Sequence, residues 1–202
     1  MLLLQTSMVW GPANAMSRDS QVPQLRLVEG VRGDAPRSPE EAFDRYARYV
    51  GAVALRLLGR SDEVDDVVQD TFVELVKRWD SVEDRASLRG WLATVATRIV
   101  SKRLKRVRFR SLFWVREEPD YEAIASPDAS PEQRALIAQV YRELDRMPAE
   151  LRVPWALRYV AGERMEDIAT MTGTSLSTAK RRVADAQARI QRRVAKGETA
   201  RG

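Results

Sequence analysis

The chain has no cysteine and no histidine. Without cysteine there is no disulfide and no thiolate-bound metal, and a reducing compartment is compatible with the sequence. Without histidine the commonest general base and the commonest zinc or iron ligand are missing. Any chemistry would rest on carboxylates, lysine, tyrosine, serine and threonine, and no glycine-rich phosphate loop is present. The composition therefore points to binding rather than catalysis, with no catalytic residue, metal site, cofactor or small-molecule substrate expected. No apolar run approaches the roughly 20 residues that span a bilayer, so no direct membrane insertion is expected. Residues 1–10 are mildly apolar but have neither a basic leader nor a long apolar core, and a signal peptide is not expected. Met8 and Met16 offer internal start positions.

What is present is a chain of 202 residues, 31% charged and 44% hydrophobic, the make-up of one or two small globular domains. A net charge of +5, from 34 basic and 29 acidic side chains, hides a strong local asymmetry. Residues 85–116 hold ten Lys or Arg and no Asp or Glu, with Trp91, Phe109, Phe113 and Trp114 among them. Charge of one sign at that density repels itself unless a polyanion meets it. Basic groups suit a phosphate backbone, and interleaved rings suit unstacked bases. A solvated cationic helix end with ordinary core aromatics fits the same residues, and composition alone does not choose.

Periodicity predicts an all-α protein of two small helical domains. Residues 1–38 lack a sustained pattern and are expected to be a flexible tail. Ser38 as cap, Pro39 at the first helical position and Glu40 and Glu41 near the positive dipole end mark the first helix start. Phe43, Tyr46, Ala47, Val50, Val53, Ala54, Leu57 and Leu58 then recur every three or four residues, ending near Gly59. Ser61 is expected to cap a second helix, whose stripe is Val64, Val67, Val68, Thr71, Phe72, Leu75, Val76 and Trp79. Residues 80–87 are polar and expected as a loop. A third helix over about 88–108 is packed by Leu88, Trp91, Leu92, Val95 and Ile99, completing a domain over 39–113. Residues 117–131 carry five acids, no bases and three prolines, so 114–130 is expected to be a flexible acidic linker. The second domain, 131–196, contains helices over about 131–146, 148–161, 163–172 and 176–196, before a short tail at 197–202. Pro154 is expected to kink its helix or shift its start.

Within the second domain, Met165, Ile168, Ala169 and Gly173, followed by Leu176, Ala179 and Val183, read as a helix-turn-helix. Ala169 is small where the helices would cross, and Gly173 gives the turn a permissive backbone. Packing Ala179, Val183, Ala186 and Ile190 inward turns Ser177, Thr178, Lys180, Arg181, Arg182 and Asp185 outward. Residues 178–196 include seven basic side chains and one acid. Small hydroxyls and basic groups at an exposed helix N-terminus suit a major-groove reader, while a plain helical hairpin with a solvated cationic face is the other reading. In the first domain, Asp66, Asp70 and Glu74 are spaced by four, with Gln69 beside them. A hard cation prefers a closed oxygen cage, which leaves a solvated acidic face or a docking surface for a basic partner. Arg98, Lys102, Lys105 and Arg106 form a stripe on the third helix. Trp79 and Trp91 fall on apolar stripes and are expected as core anchors.

These residues, in this order, resemble an extracytoplasmic-function sigma factor, the two-domain promoter-recognition subunit of bacterial RNA polymerase. Residues 66–79, with Asp66, Gln69, Asp70, Glu74 and Trp79, are similar to that family's polymerase-binding helix. Residues 88–96, Leu-Arg-Gly-Trp-Leu-Ala-Thr-Val-Ala, and the basic run after them resemble its promoter-melting helix. Residues 147–151, 158–162 and the helix-turn-helix resemble its C-terminal domain. The likeness extends over about 40–196.

The resemblance implies three partners, namely core RNA polymerase, promoter DNA and an anti-sigma factor, and a cytoplasmic, nucleoid-associated place of work. It implies that Asp66, Gln69, Asp70 and Glu74 contact the clamp coiled coil of the polymerase's largest subunit. Ser81, Asp84, Arg85 and Ser87 would hold a flipped-out base of the −10 element, with Arg98, Lys102, Lys105 and Arg106 on adjacent backbone and duplex. Ser177, Thr178, Lys180, Arg181 and Arg182 would read the −35 element, and the acidic linker would thread the RNA exit path. Arg98 and Lys102 depart from the family's usual Asn and Asp or Asn, each adding positive charge. The alternative is a helix-turn-helix regulator that binds duplex DNA without polymerase, which leaves the acidic and basic-aromatic helices of the first domain without a role.

Overall fold

The first helix starts where its signals lie. The Ser38 side chain accepts a hydrogen bond from the Glu41 amide at 3.3 Å, Pro39 occupies the first turn, and α1 (Pro39–Leu58) ends at Gly59 with φ 69°. The computed structural model describes residues 35–82, 87–111, 121 and 129–199, of which 108–111 and 194–199 are described by backbone alone. Seven helices and no strand lie among these residues. Helix α2 (Val64–Arg78) is followed by a single 3₁₀ turn at Trp79–Ser81, then by α3 (Leu88–Ser111). The second group is α4 (Pro131–Asp145), α5 (Ala149–Tyr159), α6 (Met165–Thr172) and α7 (Leu176–Thr199). The tail over 1–34 and most of the 114–130 linker fall outside the described residues, as do Phe113 and Trp114.

Local details depart from the sequence pattern in four places. Glu63 rather than Ser61 is the cap position of α2, and it makes no side-chain cap bond. Arg60 pins that turn instead, paired with Asp62 at 3.2 Å and with Glu63. Helix α5 begins at Ala149 and runs through Pro154, so the proline does not set its start. Trp79 and Trp91 are half-buried rather than core residues, whereas Leu75, Leu88 and Leu92 are fully buried. Leu176 is exposed at the head of α7.

Helices α1, α2 and α3 pack on one another, and α7 packs on α4, α5 and α6. Each fully buried leucine in these layers, such as Leu57, Leu75 or Leu144, contributes about 1.5–3 kcal/mol. Trp155 is buried on α5, and its indole N–H donates to Gln187 Oε1 at 2.7 Å, fixing α5 against α7. The two groups also share an interface, since α3 packs against α5 and α6, and α1 against α5. Helix α3 is thus covered on more than one side, so that Ala93, Ala96, Thr97 and Val100 are buried along with Leu88 and Leu92.

At that interface the C-terminal end of α1 is met by side chains of α4 and α5. Tyr141 Oη donates to the Arg56 carbonyl at 2.9 Å. Arg152 donates through Nε to the Leu57 carbonyl at 3.2 Å, through Nη2 to the Leu58 carbonyl and through Nη1 to Asp145. These carbonyls belong to the last turn of a helix, where no intrahelical partner exists, so the second group supplies their donors. Burial pushes the Tyr141 hydroxyl up to about 12 and the Arg152 guanidinium down to about 10.

Candidate protein and nucleic-acid interfaces

The face of α2 that carries Asp66, Gln69 and Asp70 is exposed, with Glu74 half-buried beside it. The spacing of four works as expected on a helix and places the acids in one row. They are not left bare. Arg103 of α3 reaches Asp70 at 2.7 Å, Asp66 at 3.3 Å and Glu63 at 3.6 Å. Partial burial works to lower the Arg103 pKa, but its bonds to Asp70 and Asp66 outweigh that and hold it raised. Glu74 pairs with Lys77 at 3.0 Å and Arg78 at 3.6 Å. Among the described residues no carboxylate group is arranged to hold a metal ion.

Beside this row lies a feature that the charge pattern did not signal. Helices α1 and α2 leave an open apolar groove of about 610 Å³, floored by Phe43, Val68, Phe72, Val73 and Val76 and edged by Glu40, Asp65 and Gln69. Phe43 and Val73 are 45% exposed and Val76 60%, and among the described residues three of the four large exposed apolar side chains lie here. Phe43 packs edge-on against the buried Phe72, with ring centroids 4.9 Å apart. Scattered apolar exposure is ordinary, whereas a contiguous patch with a polar rim marks a contact surface. The sequence carried the signal weakly, because Val68, Val73 and Val76 widen the apolar stripe of α2 beyond what one packed face needs.

Arg98, Lys102, Lys105 and Arg106 are all exposed on α3. Lys105 pairs with Glu150 at the start of α5, at 3.3 Å. The stripe adjoins the acidic row, since Lys102 and Arg106 share a cleft of about 420 Å³ with Asp70 and Glu74. Positive and negative faces thus meet along the α2–α3 seam. Of the loop residues singled out from the sequence, Ser81 is exposed and its hydroxyl donates to the Arg78 carbonyl at 2.8 Å, closing the 3₁₀ turn. Ser87 is exposed at the head of α3, while Asp84 and Arg85 lie outside the described residues.

At the other end of the chain, Gly173 adopts φ 64° at the end of α6, and Ser175 caps α7 by accepting from the Thr178 amide at 3.2 Å. Ala179, Val183, Ala186 and Ile190 are buried, which leaves Ser177, Lys180 and Arg181 exposed and Thr178 and Arg182 half-exposed. The hydroxyls of Ser177 and Thr178 both lie within hydrogen-bond reach of Ser175 Oγ, at 3.1 and 2.9 Å. Ser175 stands just before an apolar-periodic run, which is the sequence signal of a helix start. Among the described residues no helix is long and apolar enough to cross a membrane.

Known proteins share this arrangement. Residues 42–110, which span α1 to α3, match the family model for sigma-70 region 2. The extracytoplasmic-function sigma factor SigE of Mycolicibacterium smegmatis is 27% identical over 173 residues, covering 81% of this chain and 65% of that protein, so the chain spans just under two thirds of that relative. SigL of Mycobacterium tuberculosis is 29% identical over 162 residues, covering 79% of this chain and 90% of its own. Among solved structures, the sigma factor RpoE of Bartonella quintana, determined with the anti-sigma factor NepR, superposes with a TM-score of 0.55 at 23% identity, covering 77% of this chain and 95% of RpoE. CnrH, determined with the cytosolic domain of CnrY, gives 0.51 at 22%, covering 78% and 88%. These two likenesses speak to the fold. Over most of its length the chain is similar to extracytoplasmic-function sigma factors, and residues 42–110 are a sigma-70 region 2.

Proposed function

We propose that the protein is a dissociable initiation factor that brings core RNA polymerase to specific promoters and begins strand opening, with no catalysis of its own. The observation that carries this reading is the seam between α2 and α3. One side offers acids and an apolar groove suited to a protein, and the other offers Arg98, Lys102, Lys105 and Arg106, suited to nucleic acid. The polymerase site then comprises Asp66, Gln69, Asp70 and Glu74 together with the groove over Phe72, Val73 and Val76. The −10 element falls to the α3 stripe and the turn before it, and the −35 element to the exposed head of α7, with α6, the Gly173 turn and α7 acting as a helix-turn-helix. Residues 39–113 and 131–196 serve as the two domains, joined by the acidic stretch. Opening costs about 1–2 kcal/mol per base-pair step, which backbone neutralisation and captured bases offset. Work inside the cytoplasm and control by an anti-sigma factor, of the kind seen with RpoE, complete the reading.

The test mixes the protein with core polymerase and a template pool of random upstream sequence, and sequences the transcripts. Enrichment of a shared promoter, with a stable complex on core, is the expected result. Tight binding to duplex DNA with no complex on core would favour the stand-alone regulator instead.

A further inference from the structure

Helix α7 meets the helices beneath it through two kinds of contact. Its buried stripe is Ala179, Val183, Ala186 and Ile190, and two of these four are alanines. Apolar burial has no direction of its own, so a stripe of such small side chains sets the depth of the helix better than its rotation. Two polar contacts, which do have direction, flank the stripe. Gln187 Oε1 accepts from the indole N–H of Trp155 on α5 at 2.7 Å, and Arg193 pairs with Glu143 of α4 at 3.5 Å. At about 100° per residue, Gln187 and Arg193 stand about 120° apart around the axis, with the stripe between them. Turning α7 in either sense therefore stretches one of the two.

The two anchors are unequal. Trp155 is 1% exposed and its ring packs on Tyr159, with centroids 5.1 Å apart, so the loss of its acceptor leaves a buried donor unpaired. The Arg193 side chain is 58% exposed, and water replaces most of what its pairing supplies. Gln187 is the stronger constraint on rotation. That rotation matters at the head of the same helix, where Ser177, Lys180 and Arg181 are exposed. Lys180 precedes Gln187 by about 10 Å along the axis, so Gln187 acts through α7 rather than on a base itself. Side chains extend roughly 5–6 Å from the axis, and a turn of roughly 20° carries them about 2 Å. Successive base pairs are about 3.4 Å apart, and a hydrogen bond to a base edge holds over only about 0.5 Å.

We infer that Gln187 is a positioning residue for promoter recognition, which through its bond with Trp155 sets the rotation of α7 and so decides which base edges Lys180 and Arg181 reach. The inference rests on the reading that the head of α7 engages promoter duplex. It places part of the sequence preference in a residue that touches no DNA.

The test uses the full-length chain with core polymerase and a duplex library randomised over the upstream promoter element. Each protein's selected sequence is compared, together with its affinity for one unrelated duplex at two salt concentrations. Gln187→Met keeps the length of the side chain and removes the acceptor. It should lose roughly fivefold or more in preference for the wild-type sequence, while its affinity for the unrelated duplex and the salt slope stay unchanged. Gln187→Glu still offers an oxygen to the indole and should keep the wild-type preference. Unchanged preference in Gln187→Met, or an equal loss in Gln187→Glu, would overturn the assignment. Melting temperatures are measured alongside, because a bond that served stability alone would lower both affinities together. Trp155→Phe combined with Gln187→Met removes donor and acceptor at once and leaves nothing buried unpaired, which guards against a poorly folded single variant. The pair should show the same loss of preference, and wild-type preference there would also count against Gln187. A wild type that selects no sequence in the presence of core sinks the promoter reading itself, before any variant is compared.

Discussion

The guanidinium of Arg103, on the helix that carries the cationic stripe, lies 2.7 Å from the carboxylate of Asp70, on the helix that carries the acidic row. The same arginine reaches Asp66, so it tempers the acids that the functional reading gives to polymerase. Asp70→Lys reverses one charge in that row and sets it against Arg103. Binding to core, followed with a labelled full-length chain, should weaken at least tenfold. Arg103→Gln should leave binding undiminished, because it uncovers the acids without removing them. Either change should alter stability by no more than about 1 kcal/mol, since the Asp70 partner is more than half exposed. A Asp70→Lys protein that binds core normally would remove the acidic row from the site.

Val76 and Leu75 are sequence neighbours with opposite expectations. Val76 is 60% exposed over the groove, whereas Leu75 is fully buried. Val76→Asp should leave the melting temperature nearly unchanged, within about 0.5 kcal/mol, and reduce core binding tenfold or more. Leu75→Asp should unfold the chain by placing a carboxylate in the core. Both are read by thermal denaturation followed by core binding of whatever remains folded. Undiminished core binding by Val76→Asp would show that the groove lies outside the polymerase contact.

How far the sequence reached is best seen at these positions. The helices were legible because Val50, Val53, Ala54 and Leu57 recur with the helical period, and Gly59 and Gly173 stop their helices in the left-handed region. The stripe of Arg98, Lys102, Lys105 and Arg106 was legible for the same reason. The joint between the two helical groups was not, since periodicity shows which face is apolar and not what covers it. Arg152 and Tyr141 look like surface residues in a sequence, and only tertiary structure brings the α1 carbonyls to them. The depth of Trp91 was not legible, because an apolar stripe does not tell how deep each member sits. The groove was not legible, because periodicity puts Val68 and Val76 on the apolar stripe of α2 without showing that its edge is left uncovered.

At the head of α7, the exposed Arg181 and the cap residue Ser175 should separate contact from scaffold. Arg181→Ala should cost about 1–3 kcal/mol in promoter-duplex affinity and leave the fold intact. The loss should come with a shallower salt dependence if the partner is a phosphate, or with relaxed specificity at one position if it is a base. Ser175→Ala removes the acceptor for the Thr178 amide and should cost about 0.5–2 kcal/mol in stability. Denaturant titrations and fluorescence anisotropy at two salt concentrations provide the two readouts. An Arg181→Ala protein with unaltered affinity and salt slope would take that side chain out of the duplex contact.

Gly59 meets two demands at once, a φ of 69° and the approach of the Tyr141 ring. Gly59→Ala therefore incurs left-handed backbone strain of about 1–2 kcal/mol and overpacking of about 1–3 kcal/mol. Tyr141→Ala on its own loses a buried ring and its hydrogen bond. Combined, the two changes should cost less than the sum of the single ones, because the methyl group then occupies vacated space. A double-mutant cycle measured in urea checks this, and strict additivity would mean that the ring and the glycine do not confine each other.

Glu163, at the turn between α5 and α6, gives the joint a pH dependence with a definite sign. Burial raises the pKa of its half-buried carboxyl, and Asp167 pushes the same way. Arg89 from α3, Arg56 from α1 and the neighbouring Arg164 act in the opposite direction without cancelling the rise, while Tyr49 of α1 stands beneath the Arg89 guanidinium at 4.5 Å. A carboxyl with a raised folded-state pKa takes up its proton at higher pH in the folded chain than in the unfolded one. Its contribution is fully present below the ordinary value of 4.5 and is lost as pH rises through the folded value. Glu163→Gln imitates the protonated form at every pH. The two proteins should therefore match in stability near pH 4.5 and diverge toward neutrality, with Glu163→Gln the more stable. Melting temperatures compared pairwise cancel the titration of all other carboxylates. A wild type that gains on Glu163→Gln as pH rises would mean that attraction to Arg89 and Arg56 outweighs burial, and that the carboxylate tightens the closed joint.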